Sequence, residues 1–364
     1  MTAGRPGVST GPDVDVGGDV DTDPTLRRFR RRDVASSAVG MVIAGLLIAY
    51  GLPYFLDTSW AQIWAQLSRV RPGTAVLMGV LLLAGLVSYT WVLVGSLPGL
   101  GHVQALKANA VSATIANLVP LGAALGLGAT VLMYRSWGFA KREISSSLMV
   151  TGLWNVLARI ALPVIGCLVL VAGPIEAPDV VVRGAFVAGG IGAALVVVSV
   201  LVVHSDRVAA LISSLLRVLL TPVRHRVRRG RGVDHLISDQ RRRLESVVRS
   251  GGLLMTLGMV GQFVLLFGLY LVAARVVGLD LPLAELICAY TFRQLLTVVA
   301  VTPGGLGITE VGTAGLLVLL GGDPGAASAT ALLYAIYAHL LVVPFGLAAL
   351  ASWWAGPGRA AVRT

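Results

Sequence analysis

An apolar run near the C-terminal end of this chain is interrupted by Thr302-Pro303-Gly304-Gly305-Leu306-Gly307-Ile308-Thr309-Glu310. One proline and three glycines so close together stop a helix. Hydrophobic residues flank the interruption on both sides, from Leu295 to Val301 and from Val311 to Leu320. Glu310 therefore sets an ionisable group among side chains that otherwise suit lipid. In hydrocarbon, broken helix is tolerated only where protein buries it or where it lines a cavity. An intramembrane carboxylate points to function by default. The run predicts a polar site inside a bilayer, with this motif as one wall.

Composition agrees. Hydrophobic residues make up 56% of the 364 and charged residues 13%, against about 25% charged in soluble domains. Several apolar stretches exceed about 18 residues, enough to cross a hydrocarbon core. The fold class expected is all-α, a polytopic membrane protein. The formal net charge of +11 comes almost entirely from arginine. In a membrane protein such charge reports orientation and contact with anionic headgroups. No separate basic domain exists, so nucleic acid is not an expected partner. Cys167 and Cys288 lie in apolar segments without a C-x-x-C spacing, and read as small buried hydrophobes.

Hydropathy and loop charge divide the chain. Residues 1–34 form a tail, rich in Gly, Asp, Pro and Thr and ending on Arg27, Arg28, Arg30, Arg31 and Arg32. The membrane domain is expected over 35–355 and a short tail over 356–364. Six spans are expected near 35–56, 73–95, 146–172, 181–203, 251–277 and 326–354. Trp60, Ile63, Trp64 and Leu67 suggest an interfacial helix between the first two. Two further apolar segments, 103–134 and 282–321, carry breaks at Pro120 and Pro303 and read as re-entrant helical hairpins. Segment 204–250 holds eleven arginines against Asp206, Asp234, Asp239 and Glu245, and is expected as amphipathic helix on an anionic leaflet. The arginine distribution puts both termini in the cytoplasm of a multi-pass plasma-membrane protein.

A shift of 183 positions lays Pro120 on Pro303 and Gly122 on Gly305. The same shift lays the second span on the fifth and the third on the sixth. Three spans separate the copies, an odd number, so the repeat is inverted. Inverted repeats with paired broken helices place a binding site near the bilayer midplane.

The candidate site residues follow. Pro303, Gly304, Gly305 and Gly307 free backbone amides and clear side chains from an approaching ligand. A half-helix starting near Thr309 would turn its positive end to the cavity, which suits a phosphate-bearing headgroup. Glu310 either meets a cationic headgroup, exchanges a proton, or pairs with a neighbouring arginine. Thr151, Asn155 and Arg159 form one helical stripe. Arg159 is suited to grip a lipid phosphate bidentately; the plainer reading is a packing salt bridge, with Glu310 as partner. Arg293 lies deep in the second broken segment, and Glu285 stands near its outer start. Lys107, Thr114 and Asn117 share an arc of the first, with Lys107 read as snorkelling to the interface. His339 reads as a core histidine. No Walker loop, H-E-x-x-H or G-x-S-x-G is present. No catalytic residue, metal or cofactor is expected.

Pro303-Gly304-Gly305-Leu306-Gly307-x-x-Glu310 inside a broken membrane segment resembles the transmembrane, flippase-like domain of lysylphosphatidylglycerol synthases and their stand-alone relatives. The resemblance spans roughly 35–355. It implies an integral plasma-membrane protein with inverted repeats and re-entrant hairpins. In the family's best-understood members such a domain moves aminoacylated phospholipid between leaflets, which is what the resemblance implies. The chain departs from the pattern in places. Where the family often has Pro-x-Arg-x-Gly-Glu, Pro120 is followed by Leu121, Gly122, Ala123, Ala124 and Leu125. Thr151, Gly152 and Asn155 stand where a Glu-Arg pair and an Asp are usual, and Ala335 where an arginine is. With no aminoacyl-transfer domain before Thr364, lysyl transfer is not expected.

These readings converge on a lipid flippase-like transporter with membrane phospholipids as partners, their headgroups anionic or aminoacylated. A second copy of the chain or a cell-envelope enzyme are the protein partners open to it. The alternative is a non-transporting partner that anchors or regulates a cell-envelope enzyme.

Overall fold

The computed structural model describes residues 45–119, 122–172, 233–297, 302 and 305–358, with 42, 183, 186, 187 and 190. The chain is all-α, and no strand occurs among the described residues. A helix satisfies its own backbone donors and acceptors, which hydrocarbon demands.

Helix α1 is Leu52–Leu56, entered through a widened turn at Leu47–Gly51. The short helix α2, Trp60–Leu67, starts on a capping box. Ser59 accepts from the Gln62 amide, and Gln62 Oε1 takes the Ser59 N–H at 2.8 Å, so two orphan donors are satisfied together. Ile63 is buried while Trp60 and Trp64 stay exposed, as an anchor helix requires. Next come α3 (Pro72–Ser96), α4 (His102–Leu118), α5 (Gly122–Ser136) and α6 (Lys141–Ala172). After the undescribed stretch follow α7 (Val233–Val276), α8 (Leu283–Leu296), α9 (Ile308–Leu319), α10 (Pro324–Ala335) and α11 (Val342–Trp353). A widened turn, Ile336–Leu341, joins α10 to α11 into one long rod.

Among the described residues, four helical stretches are long and apolar enough to cross a membrane: Pro72–Ser96, Lys141–Val169, Val247–Val276 and Pro324–Gly356. These match the expected second, third, fifth and sixth spans. The expected fourth span, and the first before residue 45, lie largely outside the described residues, as do the two tails and most of 204–250. The fifth helix differs from expectation at its start. It runs unbroken from Val233, so 233–250 continues into the fifth helix, whose apolar span starts at Val247. Gly251 and Gly252 do not end it, because Gly251 sits where α7 crosses α3 with the two backbones almost touching at Gly95.

The same order of parts occurs twice: a rod, a broken hairpin, a rod. The first set is α3, α4 with α5, and α6. The second is α7, α8 with α9, and α10 with α11. Their packing is exchanged. α3 lies antiparallel on α7, with the Ser88 hydroxyl donating to the Gly258 carbonyl at 3.0 Å. α6 packs on α8 of the other set, and α11 packs on α4. Both of these last contacts use one device. A glycine on the rod leaves room for a threonine on the hairpin, Gly166 for Thr291 and Gly346 for Thr114. Small residues let membrane helices approach closely where no hydrophobic force drives them together.

The main core gathers Leu52, Ile63, Leu82, Tyr270, Tyr290 and Tyr334. A second cluster packs Tyr134, Met133, Ile144 and Trp353 around the first hairpin. Leu253, Leu257, Val260 and Val264 are exposed on α7, a spacing that puts one apolar stripe toward lipid.

Candidate functional site

The second hairpin breaks between Thr297 and Gly307, and its return helix begins at Ile308. Gly305 and Gly307 have φ of 74° and 88°, conformations that side chains with a Cβ rarely adopt. The Thr302 hydroxyl donates to the Leu306 carbonyl at 2.6 Å and closes the bend. Pro303 and Gly304 lie outside the described residues.

Glu310 is the third residue of α9 and is buried. Its carboxylate turns back on the start of its own helix. Oε2 accepts the Gly307 N–H at 2.5 Å, and Oε1 accepts the Thr309 hydroxyl at 2.8 Å. The positive end of α9 adds to this stabilisation. The arginine beside it is Arg293 of α8, with Nη2 at 3.7 Å from Oε1 and both side chains buried. The pairing with Arg159 weighed from the sequence does not form. Arg293 is nearer because α8 and α9 are the two arms of one hairpin.

The Arg293–Glu310 pair is held as charges, not as a hydrogen bond. Arg293 Nη2 is buried with no hydrogen-bond partner among the described residues. Its guanidinium stacks instead on Tyr334 of α10, 4.4 Å from the ring centroid, a cation–π contact. Tyr334 is packed edge-on against Tyr270 at 5.7 Å, and Tyr290 ties to the Phe263 carbonyl at 3.2 Å. This aromatic wall gives the Arg293 guanidinium a second contact beside the carboxylate.

The polar stripe of α6 faces inward as its spacing predicted. Thr151 is buried and bonds the Ser147 carbonyl. Asn155 Nδ2 donates to the Tyr89 hydroxyl on α3 at 2.7 Å. Arg159 donates through Nη1 to the hydroxyl of Thr297, at the lip of the second break. Pro163, one turn on, has no N–H for the Arg159 carbonyl. Thr297 joins the two arginines: its hydroxyl takes Arg159, and its N–H donates to the Arg293 carbonyl at 3.3 Å.

Asn117, at the end of α4, joins a separate cluster. It meets the widened turn of the last rod, where Pro344 withholds a backbone donor. Asn117 Nδ2 donates to the His339 carbonyl at 3.2 Å, and its Oδ1 lies 3.1 Å from His339 Nδ1. His339 is thus satisfied on one side only, since Nε2 has no partner. Glu285 is buried in the first turn of α8 with Oε2 unpartnered. The sequence reading missed Thr297, Thr309 and Tyr334. Thr297 ends α8, Thr309 opens α9 and Tyr334 sits on α10, and only the packing of these helices brings them to the site.

Among the described residues no cluster of three His, Cys, Asp or Glu side chains could hold a metal ion. The parts brought together are a broken hairpin, a capped carboxylate, two guanidiniums and an aromatic wall. The matching family model, the lysylphosphatidylglycerol synthase TM region, covers residues 40–346. The chain belongs to this family. No curated protein matches the chain. The stretch matched to the lysylphosphatidylglycerol synthase TM region takes in both hairpins, the α3–α7 crossing and the Arg293–Glu310 pair. It ends at Gly346, where α11 meets Thr114 of the first hairpin.

Proposed function

We propose that this protein moves a phospholipid between the leaflets of the plasma membrane, flippase-like, without altering the lipid chemically. In this reading the two hairpins enter the bilayer from opposite faces, and both termini stay cytoplasmic. The observation that carries it is the buried Arg293–Glu310 pair at the break of the second hairpin. Burying two charges costs several kcal/mol each unless they are fully compensated. Their contact here lacks a hydrogen bond, so it is not built for stability alone. An intramembrane ionisable pair at a helix break is the usual mark of a substrate path. The carboxylate's role is to hold the bend and poise Arg293; the phosphate goes to the arginines. Membership of a lipid-handling family supports the choice of cargo.

The test is reconstitution in vesicles with a fluorescent phospholipid and a quencher added outside. Wild type should bring inner-leaflet lipid out to the quencher, and the lipid should be recovered unchanged. Glu310→Gln should slow the crossing by at least about tenfold, the effect of losing roughly 1.4 kcal/mol. Equal rates in wild type and in empty vesicles would defeat the proposal.

A further inference from the structure

The charges of the site point to one class of lipid. Three ionisable side chains meet at the second break: Arg159, Arg293 and Glu310. Glu310 has both oxygens engaged within its own hairpin, by the Gly307 amide and the Thr309 hydroxyl, and Arg293 lies beside it. It has little left to offer a cationic headgroup. The guanidiniums have donors to spare. Arg293 Nη2 is buried and unbonded, and Arg159 makes its one hydrogen bond to a neutral hydroxyl, that of Thr297. Two positive groups against one carboxylate leave an uncompensated positive charge.

Among the described residues the other carboxylate of this hairpin is Glu285, on the same helix as Arg293. It stands eight residues earlier, about 12 Å along the axis at 1.5 Å per residue, and farther still from Thr297. The amino group of a headgroup sits a few bonds from its phosphate and does not span that gap. On the stripe of α6, Asn155 offers a hydrogen bond but no negative charge.

We infer that this site selects lipids of net negative charge, a phosphodiester without a headgroup amine, and disfavours aminoacylated, net positive lipids. One phosphate oxygen takes the free Nη2 of Arg293, and another takes the fork of Arg159. The inference rests on the proposed lipid-handling role of this site and specifies its cargo.

Binding separates the two statements. Purified protein in neutral detergent is titrated with short-chain phosphatidylglycerol, phosphatidylcholine and the lysyl ester of phosphatidylglycerol, each displacing a fluorescent phosphatidylglycerol. The expected order is phosphatidylglycerol over phosphatidylcholine over the lysyl ester, with about tenfold between the first and the last, the worth of one charge-assisted hydrogen bond. Arg159→Gln should erase most of that spread, and Arg159→Lys should keep part of it. Equal or tighter binding of the lysyl ester by wild type overturns the inference, and needs no variant to fold. A folded Arg159→Gln with the full spread overturns it too. If phosphatidylglycerol binds in this order but never crosses in vesicles, the selectivity stands and the transport role falls.

Discussion

Glu310 does two jobs with one carboxylate. It closes the first turn of α9 and it faces Arg293. Removing one member of a buried pair leaves the other uncompensated, typically at a cost of about 3–5 kcal/mol. Arg293→Met should therefore lower the thermal midpoint in detergent clearly. Adding Glu310→Gln to it should recover part of the loss, because the neutral amide still accepts from the Gly307 amide. A double variant as unstable as the single would mean that the charges are not coupled. The position of Glu310 could be read from the sequence, since a glycine-proline break before an acid on an apolar run has a narrow set of meanings. Its partner could not. Arg159 and Arg293 are equally apolar in context, and only the return of α9 alongside α8 picks Arg293.

At the level of helices, the two glycine–threonine contacts look alike but differ in what surrounds them. A Cβ added at Gly166 would overlap the Thr291 hydroxyl, with the nearest other atoms being side-chain atoms at 3.2 and 3.6 Å. At Gly346 a Cβ would meet the Thr114 hydroxyl and also the Ala110 carbonyl at 2.5 Å. Both Gly166→Ala and Gly346→Ala should destabilise, by a few kcal/mol as overpacking does. Thr291→Ala should rescue Gly166→Ala, since it removes the offending oxygen. Thr114→Ala should not rescue Gly346→Ala, since the backbone carbonyl stays. Thermal melts of the four variants decide it. The sequence showed that both hairpins exist, through their prolines and glycines. It did not show which rod each one docks on, because a glycine in an apolar helix says that something comes near without saying what.

The two halves of the molecule meet along α3 and α7. A Cβ at Gly261 would lie 3.6 Å from the Cβ of Ser88, inside the range that a disulfide needs. Ser88→Cys with Gly261→Cys should oxidise readily in membranes and shift the electrophoretic mobility of the protein after cleavage of the loop between them. Failure to cross-link under oxidant would contradict the antiparallel crossing. The internal repeat did not predict this pairing, because loop charge gives each rod a direction but not a neighbour.

The joint between α10 and α11 carries a consequence for the site. A widened turn arises when a helix takes in one more residue than its winding needs. The flanking stretches therefore keep their angular phase, and Tyr334 and Gly346 still reach Arg293 and Thr114. What the surplus residue changes is local. It leaves the His339 carbonyl available to a side chain from the opposite repeat. At this joint the first hairpin is thus tied to the same shaft whose Tyr334 stacks on Arg293.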